Sequence, residues 1–348
     1  MALLGKKGRL ALGIDVGSSS IKLVELKEEA GGYRLLRLAS YPLPPGAVVE
    51  RSIMDSTIVV EALRSLLSSQ KVRNRKVAVA VAGHSVIVKK VVFPKMTPKE
   101  LEENLLVEAE RYIPFDIKDV NLDYHVVSKG EEEMEVLLVA AKRDLVEDYI
   151  SLLREARLEP AVIDVDVFAI QSAFELNYPQ EVGDLMALCD IGASIMSINV
   201  VKGGESLFTR DISIGGNLYT EELQKELGVS FEEAEGLKLG RGTEKVEPTK
   251  VERIVDRVSH MVSMEIAKSL DFFSATYPED RIRKLYLTGG TSKVPRLKDI
   301  IEERTKIPVE VLNPFNNLVT DTREFSPEYL QEMAPLAAVG VGLALRKV

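Results

Sequence analysis

Two short stretches about half a chain apart carry the same chemistry. Gly13-Ile14-Asp15-Val16-Gly17-Ser18-Ser19-Ser20 ends an apolar run on an aspartate, then gives a glycine and a row of hydroxyls. Leu188-Cys189-Asp190-Ile191-Gly192-Ala193-Ser194 repeats the pattern: strand, aspartate, apolar residue, glycine, small turn, strand. The glycine suits a turn with positive φ and lets backbone N–H groups come close to a ligand. Successive N–H groups make an anion-binding nest, to which Ser18, Ser19, Ser20 and Ser194 add hydroxyls. Phosphate oxygens are the natural occupants. Asp15 and Asp190 would orient waters on Mg²⁺, a cation that keeps its waters and shares few carboxylates with phosphates. Lys22 would add a positive charge beside the terminal phosphates.

A third element is Leu287-Thr288-Gly289-Gly290-Thr291-Ser292-Lys293, which reads as a strand, a double glycine and a helix start. Backbone at such a helix N-terminus is a ready seat for a nucleotide, so Gly289, Gly290, Thr291 and Lys293 join the candidates. One Asp-x-Gly hairpin is ordinarily only a turn. Two copies in corresponding halves, with the double-glycine loop, point to two related lobes facing one ligand. The chain lacks both Gly-x-x-x-x-Gly-Lys-Ser/Thr and Gly-x-Gly-x-x-Gly, which argues against a P-loop and a dinucleotide fold.

These residues need elements to hold them. Leu10–Gly17 and Ile21–Leu26 read as a hairpin, Tyr33–Tyr41 as a further strand and Ser56–Leu67 as a helix. Lys76–Ala82 has the near-continuous apolar run of a strand buried on both faces. A βαββα block follows over residues 85–160. Its first helix carries Thr97 as N-cap, Pro98 at the first turn and Glu100 three residues after the cap. The acidic run Glu131–Glu133 reads as a solvated hairpin tip, and the loop Asn177–Asp184 as a candidate hinge. The Ala/Gly-rich stretch Ala334–Leu345 reads as a helix packed closely, either at a crossing between lobes or generically.

Composition narrows the class. At 348 residues the chain is expected to fold around more than one core. A net charge of −9 argues against general nucleic-acid binding, which needs a basic surface. Cys189 is the only cysteine and reads as a core residue, so no internal disulfide is expected. His84, His125 and His260 lack metal-ligand spacing. Gly5-Lys6-Lys7-Gly8-Arg9 is basic, but the apolar stretch after it meets Asp15 too soon for a signal peptide. No run approaches the roughly 18 apolar residues of a membrane span. The expectation is a cytoplasmic protein.

With these motifs in place, the chain resembles the actin-like ATPase superfamily. The three elements match, in order, its first phosphate loop, second phosphate loop and adenosine loop. The resemblance implies ATP and Mg²⁺ as ligands. Gly215-Gly216 before Thr220-Glu221-Glu222, and Ser230–Lys238 with Glu235 and Lys238 on one helical face, resemble the FtsA-like branch. There the matching glutamate and lysine approach adenine and ribose. Asp166, in Val162-Ile163-Asp164-Val165-Asp166 at the first crossing between lobes, is the implied candidate base for orienting water, in what would be at most a slow ATPase. A narrower similarity, to the PilM family of type IV pilus assembly, runs the whole length. It includes Leu12-Gly13-Ile14-Asp15, Glu108–Phe115 and Ala334–Leu345.

The resemblance implies an α/β, two-lobed actin-like fold with an FtsA-type 1C insertion. Subdomain 1A would take residues 1–84, 161–183 and 333–348. Subdomain 1C, for partner binding, would take 85–160. Subdomain 2A would take 184–216 and 281–332, and 2B 217–280. It further implies a scaffold that binds the cytoplasmic N-terminal peptide of PilN, an inner-membrane partner, and so sits peripherally at the inner face of that membrane. Self-association stays open. Two alternatives share the fold: a small-molecule kinase, which would need a second acidic pocket, and a filament-forming cell-division protein.

Overall fold

A computed structural model describes residues 9–242 and 246–348. The basic stretch from Gly5 to Gly8 lies outside the described residues. Strands β1 (Leu12–Val16), β2 (Ser20–Glu29) and β3 (Gly32–Pro42) form an antiparallel meander. A short hairpin, β4 (Val48–Val49) with β5 (Ser52–Ile53), follows it. Helix α1 (Ser56–Ser69) starts at Asp55, whose carboxylate accepts the Ile58 N–H. Strand β6 (Lys76–Val81) returns parallel to β1 and is buried along its whole length after Lys76, hence its unbroken apolar run.

The chain then leaves this sheet for an insertion: β7 (Val86–Pro94), α2 (Pro98–Ala109), β8 (Val120–Lys129) and β9 (Glu133–Lys142), with strand order β7-β9-β8. The capping box expected at Thr97 and Glu100 is present, and Glu131–Glu133 is exposed at the hairpin tip. Helix α3 (Arg143–Glu155) and strand β10 (Glu159–Val165) lead back to pair with β6.

Helix α4 (Asp166–Asn177) crosses to a second sheet built from β11 (Met186–Ile191), β12 (Met196–Lys202) and β13 (Glu205–Ile212). Three helices, α5 (Gly216–Leu227), α6 (Phe231–Lys238) and α7 (Pro248–Thr276), cover it. Next come β14 (Lys284–Thr288), α8 (Leu297–Thr305), β15 (Val309–Val311), the short β16 (Leu318–Val319) and α9 (Pro327–Ala344). The two sheets share one strand order, β3-β2-β1-β6-β10 and β13-β12-β11-β14-β15. The motif echo in the sequence is therefore a repeat of whole topology, with β1 and β11 in matching central places.

Small residues seat the crossing helices. A Cβ on Gly342 of α9 would stand 1.8 Å from the Ala169 carbonyl oxygen of α4, and one on Gly13 of β1 would stand 2.3 Å from that of Gly340. The Ala/Gly content of 334–345 thus serves the crossing between lobes. The Asn177–Asp184 loop is tied to the second sheet: the Tyr286 hydroxyl donates to Glu181 at 3.0 Å, and Lys284 lies 3.2 Å from the same carboxylate.

Two expected boundaries need correction. The insertion ends with β9, not at residue 160. On α3, Leu145, Tyr149, Leu152 and Leu153 pack with Leu12, Val59, Leu63 and Val79 in the first lobe's core. The insertion has its own core around Phe93, Leu101, Leu105, Val136 and Leu138. The apolar stripe of α3 announces a buried face but not which core receives it. Similarly, 281–332 does not belong wholly to the second lobe, because Leu318–Val319 pairs with Tyr33–Arg34 of β3. Phe315 and Phe325 join the cluster of Leu35 and Leu38. The 217–280 helices share one core with the second sheet, Tyr219, Leu223 and Val258 packing beside Cys189 and Leu287.

Candidate nucleotide cleft

The two hairpins have the same geometry. The Gly17 N–H donates to the Ser20 carbonyl at 3.1 Å and the Gly192 N–H to that of Ile195 at 2.9 Å. In register, Asp15 stands opposite Lys22, and Asp190 opposite Ser197. Neither Gly17 nor Gly192 takes a positive φ, which corrects the reason expected for them. They are needed for close approach. A Cβ on Gly17 would lie 2.9 Å from Lys22 Nζ, and one on Gly192 would lie 3.0 Å from the Ile195 carbonyl oxygen. The two tips meet across the lobes, with the Ser18 and Ser194 hydroxyls 2.6 Å apart.

The second lobe supplies the rest of the wall. Gly289 sits at φ 84°, where a side chain would strike the Ile191 carbonyl. The Gly216 and Asn217 N–H groups donate to the Gly192 and Ala193 carbonyls, and the Thr291 hydroxyl to that of Gly192. Lys238 is buried. It pairs with Glu235 and lies 3.2 Å from the Thr220 hydroxyl. Burial pushes the Lys238 ammonium down, with Glu235 opposing, and burial also lowers Lys293.

These groups surround one cavity of about 230 Å³. It is lined by Asp15, Gly17, Ser18, Ser19, Lys22, Asp166, Asp190, Gly192, Ala193 and Ser194. Gly216, Glu235, Lys238, Gly289, Gly290, Thr291 and Lys293 complete the predicted set. Two predicted residues stand behind the lining: Ser20, whose carbonyl closes the first turn, and Gly215, packed on the carbonyls of Gly192 and Ala193. Phe231, Leu239, Leu336 and Val339 add apolar surface to the cavity's lining.

The sequence reading missed Arg51. Its guanidinium bonds Asp15 at 2.7 Å and the Val16 carbonyl at 2.9 Å, and it reaches Asp166 with its other nitrogen. Asp15 takes Lys22 on its second oxygen at 3.2 Å. Burial would raise Asp15, but Lys22 and Arg51 outweigh it and hold the carboxyl below the usual range. Asp166 is buried at the start of α4. Burial raises it to about 8 against the pull of Arg51, and its Oδ1 is the one buried side-chain polar atom without a partner among the described residues. Burial likewise raises Asp190 to about 6, with Arg51 opposing. No ordinary signal announced Arg51. It sits in a two-residue hairpin turn with Glu50, at φ 67° and 47°, where Asn-Gly would be expected.

The donor set fits a nucleotide with a divalent cation. Glycine-lined hairpins, three lysines and an arginine line the cavity, and one buried carboxylate oxygen of its lining has no partner among the described residues. No group of three metal-ligating side chains converges among the described residues. The histidines do not contribute. His84, His125 and His260 are exposed, and Cys189 is buried in the second core.

The family profile described as type IV pilus assembly protein PilM matches residues 13–348. The chain belongs to the PilM family. A solved PilM-PilN type IV pilus biogenesis complex contains a chain 31% identical to this one, covering 97% of this chain and 98% of that one, with a TM-score of 0.87. More distant structures share the fold alone. The ethanolamine utilization protein EutJ of Carboxydothermus hydrogenoformans is 16% identical, over 98% of this chain and 90% of that one, with a TM-score of 0.58. MreB5 of Spiroplasma citri, solved bound to AMPPNP, is 11% identical, over 97% and 95%, with a TM-score of 0.56. The fold is that of the actin-like ATPases. The family match favours neither the small-molecule kinase nor the cell-division filament. Among the described residues no helix is long and apolar enough to cross a membrane.

Proposed function

We propose that this chain binds Mg·ATP between its lobes and serves as a scaffold of type IV pilus assembly, holding the cytoplasmic N-terminal peptide of a PilN-type inner-membrane protein. The observation that carries the nucleotide half is the pair of hairpins closed by the same turn hydrogen bond, whose serines touch across the cleft. The N–H groups and hydroxyls of Ser18, Ser19 and Ser194 would hold the phosphates, with Lys22 beside them. Asp190 would hold the waters of the cation, with Asp15, already paired to Lys22 and Arg51, at most at their edge. Mg²⁺ supplies charge neutralisation of the phosphates when bound. Glu235 and Lys238 would take the ribose and adenine edge, and Phe231 and Leu239 the adenine face. Asp166, with one oxygen fixed by Arg51 and one unpartnered, would orient a water for slow hydrolysis.

The partner half rests on family membership and on the related PilM-PilN complex. The insertion also leaves Val92, Leu106 and Val107 exposed, the kind of apolar surface that meets a partner. The peptide would lie between the insertion and the first lobe, by main-chain pairing and a few apolar anchors. Through it the chain would sit at the inner face of the inner membrane. Calorimetry of ATP with Mg²⁺ tests the first half: Asp190→Ala should weaken binding while leaving the fold intact. Unchanged affinity in the folded variant would overturn the cleft. Pull-down by a synthetic PilN-type N-terminal peptide tests the second half, and its failure would remove the scaffold reading.

A further inference from the structure

The turn that carries Arg51 is unusual in three ways. It closes the β4–β5 hairpin with Glu50 and Arg51, two side-chain-bearing residues at positive φ. Such a conformation persists only where its surroundings over-determine it. Here they do: the Tyr149 hydroxyl of α3 donates to the Arg51 carbonyl at 2.9 Å, and the Glu50 N–H donates to the Ser194 hydroxyl at 3.3 Å. Second, the side chain is almost fully buried, its 11% exposure facing a cleft with three aspartates. Third, its guanidinium spans Asp15 and Asp166, one carboxylate from β1 and one from the crossing helix α4.

The charges nearby decide what such a group does. Asp15, Asp166 and Asp190 line the cavity with Lys22, Arg51, Lys238 and Lys293, and of these cations Lys22 and Arg51 are the ones paired with the aspartates. Asp15 already spends one oxygen on each cation. A divalent cation held by Asp15 would therefore meet a guanidinium in the seat between Asp15 and Asp166. A planar fork satisfying two carboxylates is a fixed positive charge that cannot lose its proton.

We propose that Arg51 is the built-in counter-cation of the cleft: seated between Asp15 and Asp166, it takes over part of the charge neutralisation a divalent metal would give, so that nucleotide binding depends only weakly on that metal. This rests on the nucleotide reading of the cleft. Arg51 is a positioning residue, strung between the two carboxylates by a turn that α3 and the second hairpin hold in place. Without its charge the Lys22–Asp15 pair is the one ion pair left to these three aspartates among the described residues. The cleft would then repel free ATP and attract a divalent cation more strongly.

The test compares ATP affinity with Mg²⁺ and with EDTA, by calorimetry, in the native chain, Arg51→Gln and Arg51→Lys. The native ratio of metal-free to metal-bound Kd is expected to stay below about tenfold, and Arg51→Gln should raise it by about tenfold or more, since a buried charge near the phosphates is removed. Arg51→Lys keeps the charge and should leave the ratio within about threefold of native. Damage to the fold alone would weaken both affinities together and leave the ratio in place; that result overturns the proposal. A second reading uses only the native protein: Mg²⁺ without nucleotide should leave its melting temperature unchanged, because the seat is filled. A rise of several degrees overturns the proposal even if Arg51→Gln fails to fold. If the native chain binds ATP under neither condition, the cleft reading itself falls, and this inference with it.

Discussion

Replacing Gly289 with alanine tests the architecture of the cleft at its tightest point. Gly289 sits at φ 84° and ψ 158°, a region that glycine alone occupies readily, so a side chain there costs about 1–3 kcal/mol in backbone strain. The new Cβ would stand 2.3 Å from the Ile191 carbonyl oxygen, 2.6 Å from its carbon and 2.8 Å from Asp190 Oδ1. Two of these neighbours are backbone of a central strand and cannot swing aside, so overpacking adds about 1–3 kcal/mol. The sum is a large part of the 5–15 kcal/mol that holds a typical domain together. Gly183→Ala is the control: nothing lies within 4 Å of its Cβ position and its φ is not positive, so it should be neutral or stabilise by up to about 1 kcal/mol. Urea unfolding followed by circular dichroism gives both values. Gly289→Ala should also displace Asp190 and weaken nucleotide binding. A loss of stability under about 1 kcal/mol for Gly289→Ala, within the ordinary range for a point change, would refute the reasoning.

Asp166→Asn should change how stability depends on pH. The folded carboxyl, raised to about 8, keeps a proton that the unfolded chain releases near pH 4. Its contribution is therefore full below about pH 4 and is lost as pH rises through 8. The asparagine variant lacks that loss, so its advantage over native should grow between pH 5 and 8.5; parallel urea midpoints across that range would contradict the assignment. Tyr149→Phe removes the donor to the Arg51 carbonyl while keeping the ring, and should cost about 1 kcal/mol in the same assay. A loss near zero would mean that the turn stands without it. Lys238→Met should weaken ATP binding about tenfold, the worth of one charge-assisted hydrogen bond. Unchanged affinity would make α6 structural only.

The parts of this molecule that were legible in its sequence are those made by neighbours in the chain. Asp15 and Gly17, or Asp190 and Gly192, act within one hairpin, and the Thr97–Glu100 capping box acts within one turn, so local spacing carried them. The repeat of the two sheets followed because each lobe begins with the same hairpin. What failed was set by distant partners. Arg51 gains its meaning from Asp166, far along the chain, and from a turn whose residue types argue against its own geometry. Helix α3 shows an apolar stripe through Leu145, Tyr149 and Leu152, but only packing decides that it belongs to the first lobe. Leu318–Val319 is too short to announce itself as a strand. Gly17 and Gly192 line the cavity, but what constrains them is crowding by Lys22 and Ile195, not φ.

The most direct measurement of the central claim is a crystal structure grown with ATP and Mg²⁺. The account predicts a triphosphate between Gly17–Ser19 and Gly192–Ser194, the cation within one water of Asp190, and adenine between Phe231 and the Gly289–Gly290 turn beside Lys238. A nucleotide bound outside this cleft, or a cleft still empty at saturating ATP, would contradict it.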